Sequence, residues 1–503
     1  MRNLSKSKII AFRQCPKRLW LEIHRPELRD DSSSEVVFAI GNQVGEIAQE
    51  IYNLDGSGVL IDIDKLGFPA VFEETAKLIE QGTSIIFEAA MQANGALALA
   101  DVMIPNRNAG ELSWDMIEVK SSTSVKDYHR DDVAVQSYIA TASGLKLSSV
   151  SLAHINNQFV YEGDDNYQGL LTREDLTDEA MSRHDEVETW LREAHKVADK
   201  AAEPDISTGA QCSSPFNCPF SEHCNQGIKQ PKFSLSCLPR FSGQKKEDLK
   251  QQGITDLRQV PDSLLNGTQL KVKQHTIAGT TFFDSNGAAQ ELSKVTVKGA
   301  PHYFLDFETS MTPIPKLIGT RPYQQIPFQF SLHTLQEDDT LEQITFLDLT
   351  GNDPRRKFSK KLIQTCGKTG PIFVYNAGFE RGIIKNQAER YPELSVDLLA
   401  ISKRIIDLLP IARNYYYHPS QHGSWSIKAV LPAICPDLNY SDLDGVKDGN
   451  MAISAYQEAI DPDTTPERKA KIQSQLDTYC CLDTLAMVRL WEFFSGRDQT
   501  ASL

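Results

Sequence analysis

The stretch His302-Tyr303-Phe304-Leu305-Asp306-Phe307-Glu308 decides how the C-terminal part of the chain folds. Aromatic and aliphatic residues at nearly every position predict a buried strand, and the two-residue spacing puts Asp306 and Glu308 on one face of it. Carboxylates projecting from so apolar a run are costly unless cations or partners compensate them. The strand therefore predicts half of a metal site. Outward from it, apolar runs at Gln343–Leu349 and Ile372–Tyr375 predict further strands, and helical spacing recurs in Phe358–Cys366, Arg381–Arg390 and Leu476–Phe494. Strands alternating with helices predict a mixed sheet flanked by helices.

Two further segments supply acids. Val374-Tyr375-Asn376-Ala377-Gly378-Phe379-Glu380 runs from a strand end into a helix start, which aims Glu380 out of the sheet edge. In Tyr479-Cys480-Cys481-Leu482-Asp483 the four-residue spacing sets phenol and carboxylate one helical turn apart. Hydrolysis of a phosphodiester by two metal ions needs several carboxylates converging on one point.

In this order, Asp306-x-Glu308, Asn376-x-x-Phe379-Glu380 and Tyr479-x-x-x-Asp483 resemble the three motifs of the DEDD exonucleases of ribonuclease-H-like fold, in the subclass bearing tyrosine. The resemblance implies a 3′ to 5′ exonuclease using Mg2+ or Mn2+. It makes Asp306, Glu308 and Asp483 metal ligands and lets Tyr479 position water. Glu380 stands where the family usually has Asp, one methylene shorter, and Asp407 in Arg404-Ile405-Ile406-Asp407-Leu408 competes for that place. Asn376 and Lys428 are expected to touch substrate. Between the motifs, Tyr415-Tyr416-Tyr417-His418-Pro419 and His422-Gly423-Ser424-Trp425 read either as a surface that stacks on unpaired bases or as core packing.

The N-terminal part shows helical spacing over Phe38–Tyr52, strand-like runs at Ser84–Ala89, Leu97–Ile104 and Trp114–Val119, and a charged helical segment over Thr172–Ala202. Asp101 lies in one run, and Glu118-Val119-Lys120 ends another. Two carboxylates and an ammonium can hold a divalent cation against a phosphate and stabilise developing charge; alone, Glu-x-Lys is equally a solvated strand edge. With Gln136 and Tyr138 in a following helix, the order resembles the PD-(D/E)xK nucleases of RecB type, of restriction-endonuclease-like α/β fold. That resemblance makes Asp101 and Glu118 metal ligands, Lys120 catalytic, and Gln136 and Tyr138 contacts to phosphate or substrate. Many relatives carry a metal-binding His in the first-motif helix; here Gly41-x-x-x-Gly45 leaves a glycine, with Glu46 and Glu50 as alternative substitutes.

Nine cysteines without a secretory leader do not predict disulfides. Cys15-Pro16 with Cys212-x5-Cys218-Pro219-x4-Cys224 resembles the iron–sulfur staple of RecB-like nucleases, which implies a 4Fe-4S cluster; zinc is the alternative, although the usual C-x2–4-C knuckle is missing.

The chain thus divides into a RecB-like domain at 1–230, a helix-hairpin-helix-like linker at 231–297 and an exonuclease domain at 298–503. A formal charge of -15 excludes gripping nucleic acid with the whole surface, though not a nuclease. The cluster Arg355, Arg356, Lys357, Lys360 and Lys361 reads as a phosphate track or a solvated helix face. Without apolar runs of about twenty residues, the chain predicts no membrane span and a cytoplasmic location. As a whole it resembles a bacterial family joining two nuclease modules. The expectation is a DNA hydrolase acting at a free or single-stranded end, in DNA processing or defence; a nucleic-acid-binding scaffold with inactive sites and an RNA-processing exonuclease are the alternatives.

Overall fold

The computed structural model describes residues 2–30, 35–82, 84–107, 111–227 and 231–497. They form two compact units: Met1–Ile228 with Thr312–Gln324, and Lys229–Met311 with Gln325–Leu503. Two differences from the sequence reading follow. Residues 231–297 are not a free-standing linker, because Leu238, Leu249, Leu257 and Val272 pack into the same core as Tyr456 and Leu476. Residues 312–324 leave the C-terminal region for the first unit, where Ile314 packs with Tyr161, Tyr167 and Leu170. Tyr161 N–H donates to Thr320 O (2.9 Å), and Tyr323 OH donates to Ser121 O.

The first unit is built on a mixed sheet of β1 (Leu4–Ser5), β2 (Val59–Leu60), β3 (Ile86–Ala93), β4 (Ala96–Asn106), β5 (Ser113–Lys120), β6 (Leu147–Ile155) and β7 (Leu171–Asp175). The order is β2-β3-β4-β5-β6-β7, with β1 parallel to β4. Antiparallel β3-β4-β5 is followed by a parallel step to β6, and that crossover is the helix Asp127–Ala142. Parallel neighbours require such a crossover. Leu19, Val133, Ile139, Leu152 and Leu191 unite the flanking helices and the sheet in one apolar cluster.

In the second unit β8 (Phe282–Phe283) pairs with β14 (Tyr416–Tyr417), apart from a five-stranded sheet. That sheet holds β9 (His302–Ser310), β10 (Ile326–Leu335), β11 (Leu341–Leu347), β12 (Ile372–Val374) and β13 (Ile405–Asp407), in the order β11-β10-β9-β12-β13. The first three are antiparallel, and β12 and β13 run parallel to β9. β9 alternates between two cores. Tyr303, Leu305 and Phe307 pack with Phe358, Ile383 and Leu398. Phe304 packs with Leu476, Tyr479 and Trp491, which belong to the helix Pro466–Ser495. Asp306 and Glu308 share the Phe304 face by pleat, and so point toward that helix. Thr465 caps its N-terminus and Gly496, at φ 72°, ends it in left-handed backbone.

Both units are thus mixed sheets flanked by helices, as the sequence predicts. Among the described residues no helix is long and apolar enough to cross a membrane.

Candidate functional site

On the helix-facing side of β9, one carboxylate oxygen each of Asp306, Glu308 and Asp483 lie within 4.8 Å of one another. Glu308 and Asp483 are buried and Asp306 partly so. Three acids gathered in a desolvated space resist ionising together. Burial, then Asp483 and Glu308, push the Asp306 carboxyl far above the usual carboxylate range. Burial and Asp483 raise Glu308 to about 8. Burial also raises Asp483, to about 6, moderated by the hydroxyls of Tyr440 and Tyr479 and by Lys428. Such a set fits a divalent cation, whose preferred ligands are carboxylate oxygens.

Four side chains surround the acids. Tyr440 OH donates to Asp483 Oδ1 at 2.5 Å. Tyr479, one turn before Asp483, is buried among Tyr440 and Lys428. Lys428 Nζ lies 4.9 Å from the Tyr440 ring centroid and 5.1 Å from that of Tyr479, and donates to Lys447 O at 2.7 Å. Glu380 belongs to the helix Gly378–Arg390, close enough to raise the Asp306 carboxyl further but outside the three-acid group. Its Oε2 is buried with no hydrogen-bond partner among the described residues, and burial raises its carboxyl to about 8. Asp407, the competing residue, is committed elsewhere: its Oδ1 accepts from Asn376 N and Leu409 N, capping the helix Leu408–Tyr415. Asn376 sits in left-handed backbone, φ 80°.

Sequence reasoning missed Tyr440, which lies in a short turn without periodic signal. It also left the aromatic stretch open between stacking and packing. Tyr416, Tyr417 and Trp425 are core residues, with Trp425 Nε1 donating to Tyr416 O at 2.8 Å. Three members of the basic run are engaged with acids of this unit. Arg355 is fully buried on Asp353, Arg356 pairs with Glu393, and Lys357 with Asp348.

The first unit gathers its candidates around Glu118. Glu118 Oε1 accepts from Lys6 Nζ (2.6 Å) and Lys120 Nζ (2.7 Å), and Oε2 from Gln136 Nε2 (2.5 Å). Lys120 also reaches Asp132 (2.7 Å), and Asp101 accepts from Val119 N (2.6 Å). Burial alone would raise Glu118; Lys120 and Lys6 reverse this and hold it at about 2. Burial and the Glu118 charge push Asp101 far above its ordinary range. The third acid is not Glu46 or Glu50, both exposed on the helix Glu35–Tyr52. A nearer acid is Glu88, across from Asp101 between the pairs Phe87↔Val102 and Ala89↔Ala100 and raised by burial and by Glu118, although among the described residues Asp101, Glu118 and Glu88 do not gather within 4.8 Å as the acids of the second unit do. Its backbone is left-handed at φ 55°, an uncommon state for a residue with Cβ in a strand. The one charge in Ile86–Ala93 was the signal available for Glu88; Lys6 gave none. Tyr138 does not join the site. Two positions from Gln136, it is rotated by about 200° on the helix, and is buried with its OH accepting from Asn94 Nδ2.

Cys15, Cys212, Cys218 and Cys224 line one small cavity together with Lys17 and Arg18. Their sulfurs are spread more widely than the carboxylates, no three lying within 4.8 Å among the described residues. Tetrahedral zinc, at about 2.3 Å from each sulfur, would bring sulfurs within about 3.8 Å.

No curated protein matches the chain. A family described as Domain of unknown function (DUF2779) matches residues 303–426, a span that holds Asp306, Glu308, Glu380 and Asp407 and ends before Lys428, Tyr440, Tyr479 and Asp483.

Proposed function

We propose that this chain is a metal-dependent nuclease with two sites: a 3′ to 5′ exonuclease of DEDD type and ribonuclease-H-like fold in the second unit, and a RecB-like PD-(D/E)xK module in the first. The observation that carries the reading is the meeting of Asp306, Glu308 and Asp483 in one buried space that leaves their charges uncompensated. The partnerless oxygen of Glu380 supports it, since a buried polar atom without a partner calls for a ligand. Asp306, Glu308 and Asp483, with Glu380 from the first turn of the helix Gly378–Arg390, would hold Mg2+ or Mn2+. Bound there, a pair of such ions supplies an activated water and stabilises the leaving oxygen. Tyr479 orients that water, Tyr440 fixes Asp483, and Lys428 offsets part of the negative charge.

In the first unit Asp101 and Glu118 would hold a cation, with Glu88 near them, and Lys120, which bonds Glu118 and Asp132 in the metal-free chain, would turn to the phosphate. A scaffold reading of this unit keeps one specific support: Lys6 and Lys120 both occupy Glu118 Oε1. The four cysteines, which line one cavity, would hold a 4Fe-4S cluster, with zinc as the alternative. Its work would be structural, tying Cys15 to the Cys212–Cys224 segment.

The test is degradation of 5′- and 3′-labelled single-stranded DNA and RNA by the full chain in Mg2+. Asp306→Ala should slow stepwise loss of the 3′ label on the order of 10³-fold, and Lys120→Ala should remove whatever cleavage survives. Unchanged degradation by both variants overturns the proposal.

A further inference from the structure

The second unit holds a cleft of about 900 Å3 whose lining includes Tyr375 and Asn376, at the end of β12, and Ile427, next to Lys428. One wall comes from the segment before β9, with Arg240 and Asn266; the other from Asn376, Arg413, Ser424 and Ile427. Two of these residues tie the cleft to the acids along the chain. Asn376 lies just before the helix Gly378–Arg390 that carries Glu380, and Ile427 adjoins Lys428, whose charge acts on Glu308 and Asp483.

The charge of the cleft is opposite to that of the chain. The net charge is -15, yet no Asp or Glu lines the cleft. Several arginines elsewhere in this unit are ion-paired, Arg258 with Asp256, Arg355 with Asp353, Arg356 with Glu393 and Arg468 with Glu458, while Arg381 and Arg404 are spent on backbone carbonyls. Arg240 and Arg413 have no carboxylate partner among the described residues, and both face the cleft. Between them lie hydrogen-bonding groups and apolar surface from Leu238, Leu409 and Ile427. Unpaired guanidinium groups on a groove with apolar stretches suit a ligand that alternates phosphates with planar bases.

We infer that this cleft binds the sugar-phosphate backbone of an unpaired strand, with Arg240 and Arg413 contacting successive phosphates upstream of the terminal nucleotide. The inference rests on the exonuclease reading and adds what that reading lacks, a binding role for the segment before β9. The expected ligand is single-stranded nucleic acid; phosphates are common to DNA and RNA, so both should bind.

The experiment is fluorescence anisotropy of the full chain in EDTA, with labelled oligothymidylate and oligouridylate over a range of salt. Each phosphate contact on a single strand contributes about 0.7 to the slope of log affinity against log salt. Arg240→Gln and Arg413→Gln should each lower that slope by about 0.7, and the pair by about 1.4. Arg413→Lys should keep the slope, and Arg356→Gln should leave it unaltered. Circular dichroism and melting identical to wild type establish that the variants are folded. A slope unmoved in the double variant overturns the inference, as does equal loss in Arg356→Gln. The two proposals fail separately. An Arg-dependent slope with Asp306-independent cleavage removes the exonuclease alone, and Asp306-dependent cleavage with an unmoved slope removes the cleft alone.

Discussion

Replacing Glu308 by Gln should stabilise the metal-free protein and abolish its response to metal. Glu308 is buried beside Asp483, and its carboxyl rises from an ordinary 4.5 to about 8. The folded chain therefore holds this proton more tightly than the unfolded chain does. Stability from this group is complete below pH 4.5 and is lost as the pH climbs through 8. Each tenfold in proton affinity is worth about 1.4 kcal/mol. Sharing of charge with Asp483 and Asp306 reduces the full displacement to about 3 kcal/mol. An amide of nearly the same shape removes the ionisation without opening a cavity. At about 2–4 °C per kcal/mol, Glu308→Gln should melt about 6–12 °C higher than wild type at pH 8 in EDTA. At pH 4.5 the two should differ little. Scanning calorimetry at both pH values, with EDTA and then with Mn2+, measures this. Mn2+ should raise the wild-type Tm and leave the variant nearly unmoved. A variant no more stable than wild type at pH 8 would refute the argument that these acids repel one another in a desolvated space.

Three other outcomes are expected. Tyr479→Phe should lower the rate of 3′-end degradation about 10²-fold while the melting temperature holds, since its ring contacts remain; an equal rate would remove Tyr479 from the reaction. Wild type purified without air should carry on the order of four iron atoms per chain and absorb broadly in the visible, and Cys224→Ser should lose both; metal analysis finding neither iron nor zinc in wild type would dismiss a cluster. Gly423→Ala should lower stability by about 3 kcal/mol or more in urea titration, because Gly423 is at φ +77° and an added Cβ would lie 1.8 Å from Cys237 O.

The sequence was most legible where period and chemistry coincide. The pleat of His302–Ser310 and the turn of Tyr479–Asp483 suffice to place Asp306, Glu308 and Asp483 on facing surfaces, whereas Gln136, expected to meet phosphate or substrate, donates to Glu118 and Leu99 O. What stayed hidden is of three kinds. β10 was not read, because its polar face, with Gln329, Ser331 and His333, is as buried as its apolar one; Ser331 and His333 bond Thr484 of the packed helix. Rotation about a helix axis separated Tyr138 from Gln136 and left Glu46 and Glu50 in solvent. Long-range partners such as Lys6 and Tyr440 carry no local pattern, since only the closed fold brings them to Glu118 and Asp483.

The return of residues 312–324 to the first unit also sets the order of biosynthesis. The polypeptide passes between the units three times, after Ile228, Met311 and Gln324. During translation the first unit must wait, its Tyr161–Tyr167 cluster open, until Gln324 has emerged from the ribosome. By then the strand bearing Asp306 is already out. A cut after residue 230 therefore deprives the first unit of its own closing segment.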